Sequence, residues 1–494
     1  MRNPPIRADQ AAIDFATIRD ELGIAHGFAD DVHVEARTAA QQVNSTETAS
    51  YLESLPHVNP QVKPVDGKRT DDRDIPLVTI DPTGSNDLDQ AVHIAEIAGG
   101  FRVHYAIADV AAFVAPGGAI DAESRRRGMT LYCPDIRVPL YPTELCEGAA
   151  SLLPDADRLA VLWTIDIDDR GEPTAVDVRR SLVRSRAQLD YVTVQAQTNV
   201  GELHPSIALL PRVGRLRLQA ARRRHAIDLD LPDSEVVCGD DGRWTLRRRE
   251  ILPVEQYNAQ ISLLTGMCAA HIMLAGKVGI LRTLPPPDHT QIAQLRRATA
   301  ALGIAWPEGV PPGDIVSELD ATQPRHAAFI EDAIRLLRGA GYTAFDGELP
   351  EQRMHGGLGA PYAHVTAPLR RLVDRFATEV CLALHAHEAV PAWVRGAFDT
   401  LPREMDAATR LSREVDTACT RAVSEFLLAG HVGEVLTGMV VQVEGAKGRA
   451  TMLLDEPAVR VRTEADGLVE GTRAAIRLVA VDKKAHRVDV ELMK

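Results

Sequence analysis

The sequence predicts a mixed α/β domain followed by a small all-β barrel, with a short, mostly helical segment in front of both. Three observations carry this. Between residues 77 and 183, apolar runs of strand length alternate with turns bearing Gly and Asp. From about 251 to 430, apolar positions recur at helical spacing over long stretches. From about 432 onward the pattern returns to short segments, about five of them, which suits a small closed barrel of the oligonucleotide-binding kind.

The elements follow in order. With 494 residues, 45% hydrophobic and 25% charged, the chain is long enough for roughly three domains at about 150 residues each. The boundaries are placed at 1–69, 70–430 and 431–494. In the first segment "QAAIDFATIRDEL" has a helical pattern, and "LPHVNPQVKPVDGKRTDDRDIP" has the Pro, Gly and charge of a linker. "LVTI", "AVHIAEI" and "FRVHYAIADV" read as strands, the last two joined by "AGG"; "LAVLWTIDID" and "AVDVRRSLV" flank the turn "DRGEP". "VEQYNAQISLLTGMCAAHIM" and "AAFIEDAIRLLRGAG" are the clearest helices. In the tail the strands are "VLTGMVVQV", "ATMLL", "AVRVRTEA", "RAAIRLVAV" and "RVDVEL".

A formal net charge of −14 argues against a broadly basic nucleic-acid surface, though it leaves room for an interior basic channel. The arginine-dense stretches "PRVGRLRLQAARRRH" and "LRRRE" read as solvated faces. Six cysteines (Cys133, Cys146, Cys238, Cys268, Cys381, Cys419) form no C-x-x-C pair and have no His at zinc spacing. This indicates neither a structural zinc nor a disulfide framework, and a reducing cytoplasm is the expected location. The longest apolar run, "ISLLTGMCAAHIMLAG", is broken by Ser262, Thr265 and His271, so a buried helix is expected and no membrane span.

The chemistry concentrates in two places. In "TIDPTGSNDLDQAVHI", Asp87 and Asp89 are two apart on an extended chain, and "PTGS" supplies a turn that brings Asp81 beside them. Oxygen-only ligands of this kind suit magnesium or manganese; the alternative is a turn of solvated acids. A calcium EF-hand loop fails on spacing, since Asn86 and Val92 stand where Gly and Glu are required. In "HGGLGAPYAHVTAPLRRLVDR", Thr366 is placed to cap a helix starting near Pro368, with Arg370 and Arg371 in its first turn. Cations there oppose the helix dipole, which makes sense if an anion is held between them; pairing with Asp374 is the alternative.

Together with "IADVAAFV", "LYCPDIRVPLYPTELCEGAASLLPDADRLAV" and "RSRAQLDYVTV", these stretches resemble the RNB family, the ribonuclease II and ribonuclease R type of exoribonuclease. The resemblance covers roughly residues 70 to 425, and the tail is similar to the family's C-terminal RNA-binding barrel. It implies a metal-dependent 3′-to-5′ exoribonuclease that hydrolyses single-stranded RNA processively to nucleoside 5′-monophosphates, with no DNA substrate expected. Asp81, Asp87, Asp89 and Gln90 would form the magnesium site, with manganese as the alternative ion. Asp89 and Arg370 would be the catalytic pair; Tyr132, Tyr191, Asn258, Arg370 and Arg371 would bind substrate. His364 is expected to be a packed, orienting histidine.

The chain departs from the family pattern at several points. Gln90 stands where a carboxylate is expected and Asn258 where a Glu is, while Ala367, Leu372 and Thr378 replace Ser, Tyr and His. The N-terminal segment is too short for paired cold-shock barrels, and its aromatics, Phe15, Phe28 and Tyr51, offer no stacking platform. Residues 430–494 contain no aromatic, so backbone contacts would fall to Lys447, Arg449, Arg460, Arg462, Lys483, Lys484 and Arg487. The barrel is expected to assist capture of long RNA without touching the chemical step. A catalytically weakened RNB-like protein, acting as an RNA-binding or scaffolding factor, is the competing reading.

Overall fold

The sheet that carries the acidic loop closes on itself. Its strands come from β1 (Thr70–Asp71), β2 (Leu77–Asp81), β3 (Gln90–Ile97), β4 (Gly100–Ala108), β7 (Asp157–Asp168) and β8 (Pro173–Asp190), in the order β1-β8-β2-β3-β4-β7. Between β4 and β7 lies the small hairpin of β5 (Leu131–Tyr132) and β6 (Arg137–Val138). The first part of β8 runs antiparallel to β7, with Asp157 opposite Arg184, and its last part runs parallel to β2, with Asp81 opposite Asp190. A single long strand thus joins both edges. The computed structural model describes residues 13–44, 69–227, 233–238, 244–249, 251–320, 323–337, 339–444, 448–457, 459–482 and 485–493. The body of the expected linker, Tyr51, Lys447, Lys483 and Lys484 lie outside the described residues.

The sequence marks only the middle of β8. Its C-terminal half, "RSRAQLD", alternates polar residues outward, where Arg184 pairs with Asp157 and Gln188 donates to the Ser85 carbonyl. Buried apolar strands such as "AVLW" of β7, covered on both faces, announce themselves more clearly.

The described helices are α1 (Phe15–Glu21), α2 (Asp30–Asn44), α3 (Ala119–Arg127), α4 (Tyr191–Val200), α5 (Leu210–Arg223), α6 (Pro253–Gly276), α7 (His289–Leu302), α8 (Pro312–Ser317), α9 (Pro324–Ala333), α10 (Leu372–His385), α11 (Ala392–Arg395) and α12 (Leu401–Ala429). Two strand pairs interrupt them, β9 (Asp233–Cys238) with β10 (Trp244–Arg249), and β11 (Val278–Thr283) with β12 (Gly341–Asp346). By length and composition α6 is the one described helix that could cross a membrane, yet Ile261, Leu264, Ala269, Ala270 and Met273 are all fully buried in the main core. The expected buried helix is what the structure has. In α5 the solvated reading fails at Arg217, which is 1% exposed and donates to the Gly171 carbonyl.

The five tail strands are β13 (Val435–Glu444), β14 (Arg449–Leu454), β15 (Arg460–Glu464), β16 (Arg473–Asp482) and β17 (Arg487–Met493), in the order β15-β14-β13-β16-β17. The end strands β15 and β17 approach each other, so the sheet is nearly a closed barrel. Its core does not stop at the barrel. Leu436, Val440, Ile476 and Leu478 share one buried cluster with Phe15 of α1, Val415, Val423 and Leu428 of α12, and Leu131 and Val138 of the β5–β6 hairpin. The hairpin that carries Tyr132 therefore rests on apolar surface continuous with the barrel.

Candidate active site

Strand β2 ends at Asp81, and the chain leaves the sheet as a loop that turns at Gly84 (φ +83°) and re-enters at Gln90, the first residue of β3. The loop is pinned from beneath. Leu88 is fully buried and its N–H donates to Ser151 Oγ at 3.0 Å, Ser151 Oγ donates to the Asn86 carbonyl at 2.6 Å, and the Ala108 N–H donates to the Asp89 carbonyl at 2.9 Å. The acids thus project from a fixed frame.

Asp89 is 3% exposed; its Oδ1 accepts the Leu369 N–H at 2.8 Å, and its Oδ2 lies 3.4 Å from Arg370 Nε. Burial pushes this carboxyl up to about 8, against the pull of Arg370 and the Leu369 N–H. Burial pushes Asp81 up to about 7, opposed by Arg370 and reinforced by Asp87, and its Oδ2 is buried with no hydrogen-bond partner. Asp87 is instead paired with Arg137, whose other terminal nitrogen donates to Glu147 Oε1 at 2.7 Å.

Two carboxyls with raised pKa values, Asp89 buried and Asp81 half-buried with an unpartnered buried oxygen, form an oxygen donor set that a hard divalent cation fits. Among the described residues, however, no three acidic, His or Cys side chains stand together as a ready cluster. The expectation of three convergent aspartates is corrected accordingly, because Asp87 turns to Arg137.

The arginine segment also differs from expectation. Pro368–Arg370 is a turn in which the Ala367 carbonyl accepts both the Arg370 and Arg371 N–H groups, and α10 starts only at Leu372. Bonds from Thr130 N–H to the Arg370 carbonyl and from Leu372 N–H to the Gly128 carbonyl hold this stretch against the start of the hairpin segment, which delays the helix. Thr366 does not cap it: its hydroxyl shares a hydrogen bond with Ser262, and Asp374 Oδ1 accepts the Ala367 N–H at 2.7 Å. Arg371 is bidentate to Asp374, with both contacts at 2.9 Å, which is the pairing given above as the alternative to an anion between the arginines. Of the two arginines, Arg370 faces the acids, with Asp89 at 3.4 Å, and its charge also acts on Tyr132.

Tyr132 is 53% exposed, which rules out an ordinary core tyrosine. Asn258 Nδ2 donates to the Tyr191 hydroxyl at 3.0 Å, joining α6 to the start of α4. Both line a cavity of about 520 Å³ together with Gln90, Tyr105, Ser262 and Arg370. Gln90 Nε2 donates to the Thr366 carbonyl, tying the acidic loop to the arginine turn through its nitrogen, while the oxygen a cation would meet takes no part in this bond. His364 is packed against Tyr362, hydrogen-bonded to the Tyr342 hydroxyl at 2.8 Å and held well below its usual pKa by burial, as a packed, neutral histidine should be.

Sequence reasoning missed Arg137, Glu147 and Ser151. The one available signal was Arg137 standing between Ile136 and Val138, a charge in an apolar hairpin that needs a partner.

Residues 69–384 match the sequence model described as the RNB domain. The chain belongs to the RNB family. Residues 434–493 of this RNB protein match the RNase II-type exonuclease C-terminal S1 domain. It is 26% identical over 470 residues to Ribonuclease R of Aquifex aeolicus, covering 86% of this chain and 65% of that one. It is 28% identical over 407 residues to Ribonuclease R of Escherichia coli, covering 76% and 49%. The chain therefore spans about half to two thirds of the length of these relatives. Its fold is similar to that of Mycoplasma genitalium RNase R in complex with ribose-methylated single-stranded RNA, with a TM-score of 0.83 at 19% identity over 97% of this chain and 78% of that one. It is also similar to yeast Ssd1, a pseudonuclease, with a TM-score of 0.67 at 17% identity over 91% and 59%.

Proposed function

We propose that this RNB protein is a divalent-metal-dependent exoribonuclease that hydrolyses single-stranded RNA processively, 3′ to 5′, to nucleoside 5′-monophosphates. The observation that carries the reading is the placement of Asp81 and Asp89, both with raised carboxyls, around Arg370, which itself lines the cavity shared by Tyr191 and Asn258. Magnesium or manganese, held by Asp81, Asp89 and a released Asp87, would supply the positive charge that activates water and offsets the scissile phosphate.

The chain's own groups do the rest. The Leu369 N–H fixes the orientation of Asp89, and Arg370, anchored between Asp89 and Tyr132, meets the phosphate and the charge that grows on it. Tyr132 presents an exposed ring to a base, a contact worth about 1–3 kcal/mol that tolerates any sequence. The Tyr191–Asn258 pair meets the ribose, where a 2′-hydroxyl separates RNA from DNA. RNA turnover or processing in a reducing cytoplasm belongs to the same reading, since Cys133, Cys146, Cys268, Cys381 and Cys419 are free thiols.

Two observations favour the second reading, an RNA-binding factor with weakened catalysis: Gln90 brings no charge, and Arg137 already neutralises Asp87. Incubating single-stranded RNA with the protein, in magnesium and in excess chelator, separates the two. Disappearance of full-length RNA only with the ion supports the nuclease; retention on the protein without turnover supports the binding factor.

A further inference from the structure

Arg137 sits on β6 directly across the hairpin from Tyr132. One guanidinium nitrogen is paired with Asp87, and the other donates to Glu147 Oε1 at 2.7 Å, in the helical turn Leu145–Ala149. A single cation therefore spans one carboxylate of the acidic loop and one carboxylate outside it. The other two acids have nothing comparable: Asp81 Oδ2 has no hydrogen-bond partner, and Asp89 has Arg370 only at 3.4 Å.

We propose that Arg137 is a positioning residue that serves as a built-in counter-cation for the acidic site. It neutralises Asp87 while no divalent ion is bound, and it is retained by Glu147 alone when the ion takes the Asp87 oxygens. The physical need is plain, since the Asp87 charge repels both Asp81 and Asp89, and a positive charge held against Asp87 relieves that repulsion. The geometry supplies the rest. The guanidinium offers separate nitrogens to Asp87 and Glu147, so one bond can open while the other holds. A divalent ion must then compete with Arg137, and Glu147 decides how readily Arg137 yields.

This inference rests on the metal-dependent reading above, and the experiment that tests it reads metal binding rather than cleavage. Manganese is titrated into the RNA-free 494-residue chain and the free ion followed by electron paramagnetic resonance. Arg137→Met is expected to tighten manganese binding by on the order of tenfold, because the competing charge is gone. Glu147→Gln is expected to weaken binding severalfold, since Arg137 is then left with Asp87 alone, and this effect should vanish when combined with Arg137→Met. Arg137→Lys keeps the charge and should stay near the wild-type affinity, with circular dichroism confirming that each variant folds. Unchanged or weaker binding in folded Arg137→Met, or an equal Glu147→Gln effect with and without Arg137, overturns the counter-cation role while leaving the nuclease reading intact. A wild-type protein that binds no manganese and cleaves RNA equally in chelator overturns both.

Discussion

Gln90 donates its side-chain amide to the Thr366 carbonyl, across 276 residues of sequence, and so fastens the acidic loop to the turn that presents Arg370. A carboxylate at position 90 would set negative charge against that carbonyl and remove a bond worth about 0.5–1.5 kcal/mol net. Gln90→Asp is therefore expected to bind magnesium and manganese no more tightly and to cleave RNA severalfold more slowly. Parallel magnesium and manganese titrations of both proteins on one short RNA provide the check. Faster cleavage at limiting magnesium would instead make Gln90 a charge deficit.

Asp89→Asn should lower the cleavage rate by at least about 100-fold, comparable to the loss of a transition-state contact, while RNA binding holds or tightens. The amide oxygen can still accept the Leu369 N–H, so the turn should survive the change. Single-turnover cleavage and fluorescence anisotropy on the same RNA separate the two effects; equal loss of both would assign Asp89 a folding role.

For the barrel, two substitutions are more informative than a deletion. Arg449 and Arg462 are exposed on neighbouring strands, β14 and β15. Replacing both with Glu should raise KM for long RNA, leave short RNA and kcat unchanged, and reduce the salt slope by about one per lost phosphate contact. Truncation from residue 432 is expected to behave differently, lowering kcat as well as stability, because it uncovers Val423, Leu428, Leu131 and Val138. A truncated protein with wild-type kcat would show that the hairpin needs no support from the barrel.

Beneath the sheet, Asp109 accepts from Arg69 and Arg180 at 2.6 Å each, and Arg180 also pairs with Glu379. Burial alone would raise the Asp109 carboxyl, but Arg180 and Arg69 outweigh it and hold the group down at about 2. Since this folded value lies below the unfolded one of about 3.9, the group contributes stability that is complete above that pH and is lost as pH falls toward 2. Asp109→Asn should cost about 3–5 kcal/mol near neutral pH by leaving Arg69 buried without a carboxylate. It should also flatten the acid limb of a Tm-against-pH curve; an unchanged acid limb would place the titration elsewhere.

Much of this architecture was legible in the sequence, for identifiable reasons. The five barrel strands and α6 were visible because alternation and a long apolar face are local signals. Ordered motifs singled out Asp81, Asp89, Arg370, Tyr132, Tyr191 and Asn258 as candidates, and the structure brings Arg370 to Asp89 and Tyr191 to Asn258. What was not legible depends on tertiary contact. Nothing local says that Asp374 would take Arg371 rather than Arg370, that bonds to Gly128 and Thr130 would hold back the start of α10, or that Arg137 would reach Asp87. The length of β8 was hidden because its outward polar residues find their partners through tertiary contact, Arg184 at Asp157 of β7, Gln188 at the acidic loop and Arg186 at the Arg73 carbonyl.

The most direct test of the proposed chemistry follows one single-stranded RNA labelled in turn at each end, incubated with the protein and magnesium. With the 3′ end labelled, the first labelled product should be a nucleoside 5′-monophosphate; with the 5′ end labelled, the RNA should shorten stepwise; and both should stop in chelator and in Asp89→Asn. Labelled internal fragments at early times, or the same products with the ion removed, would contradict it.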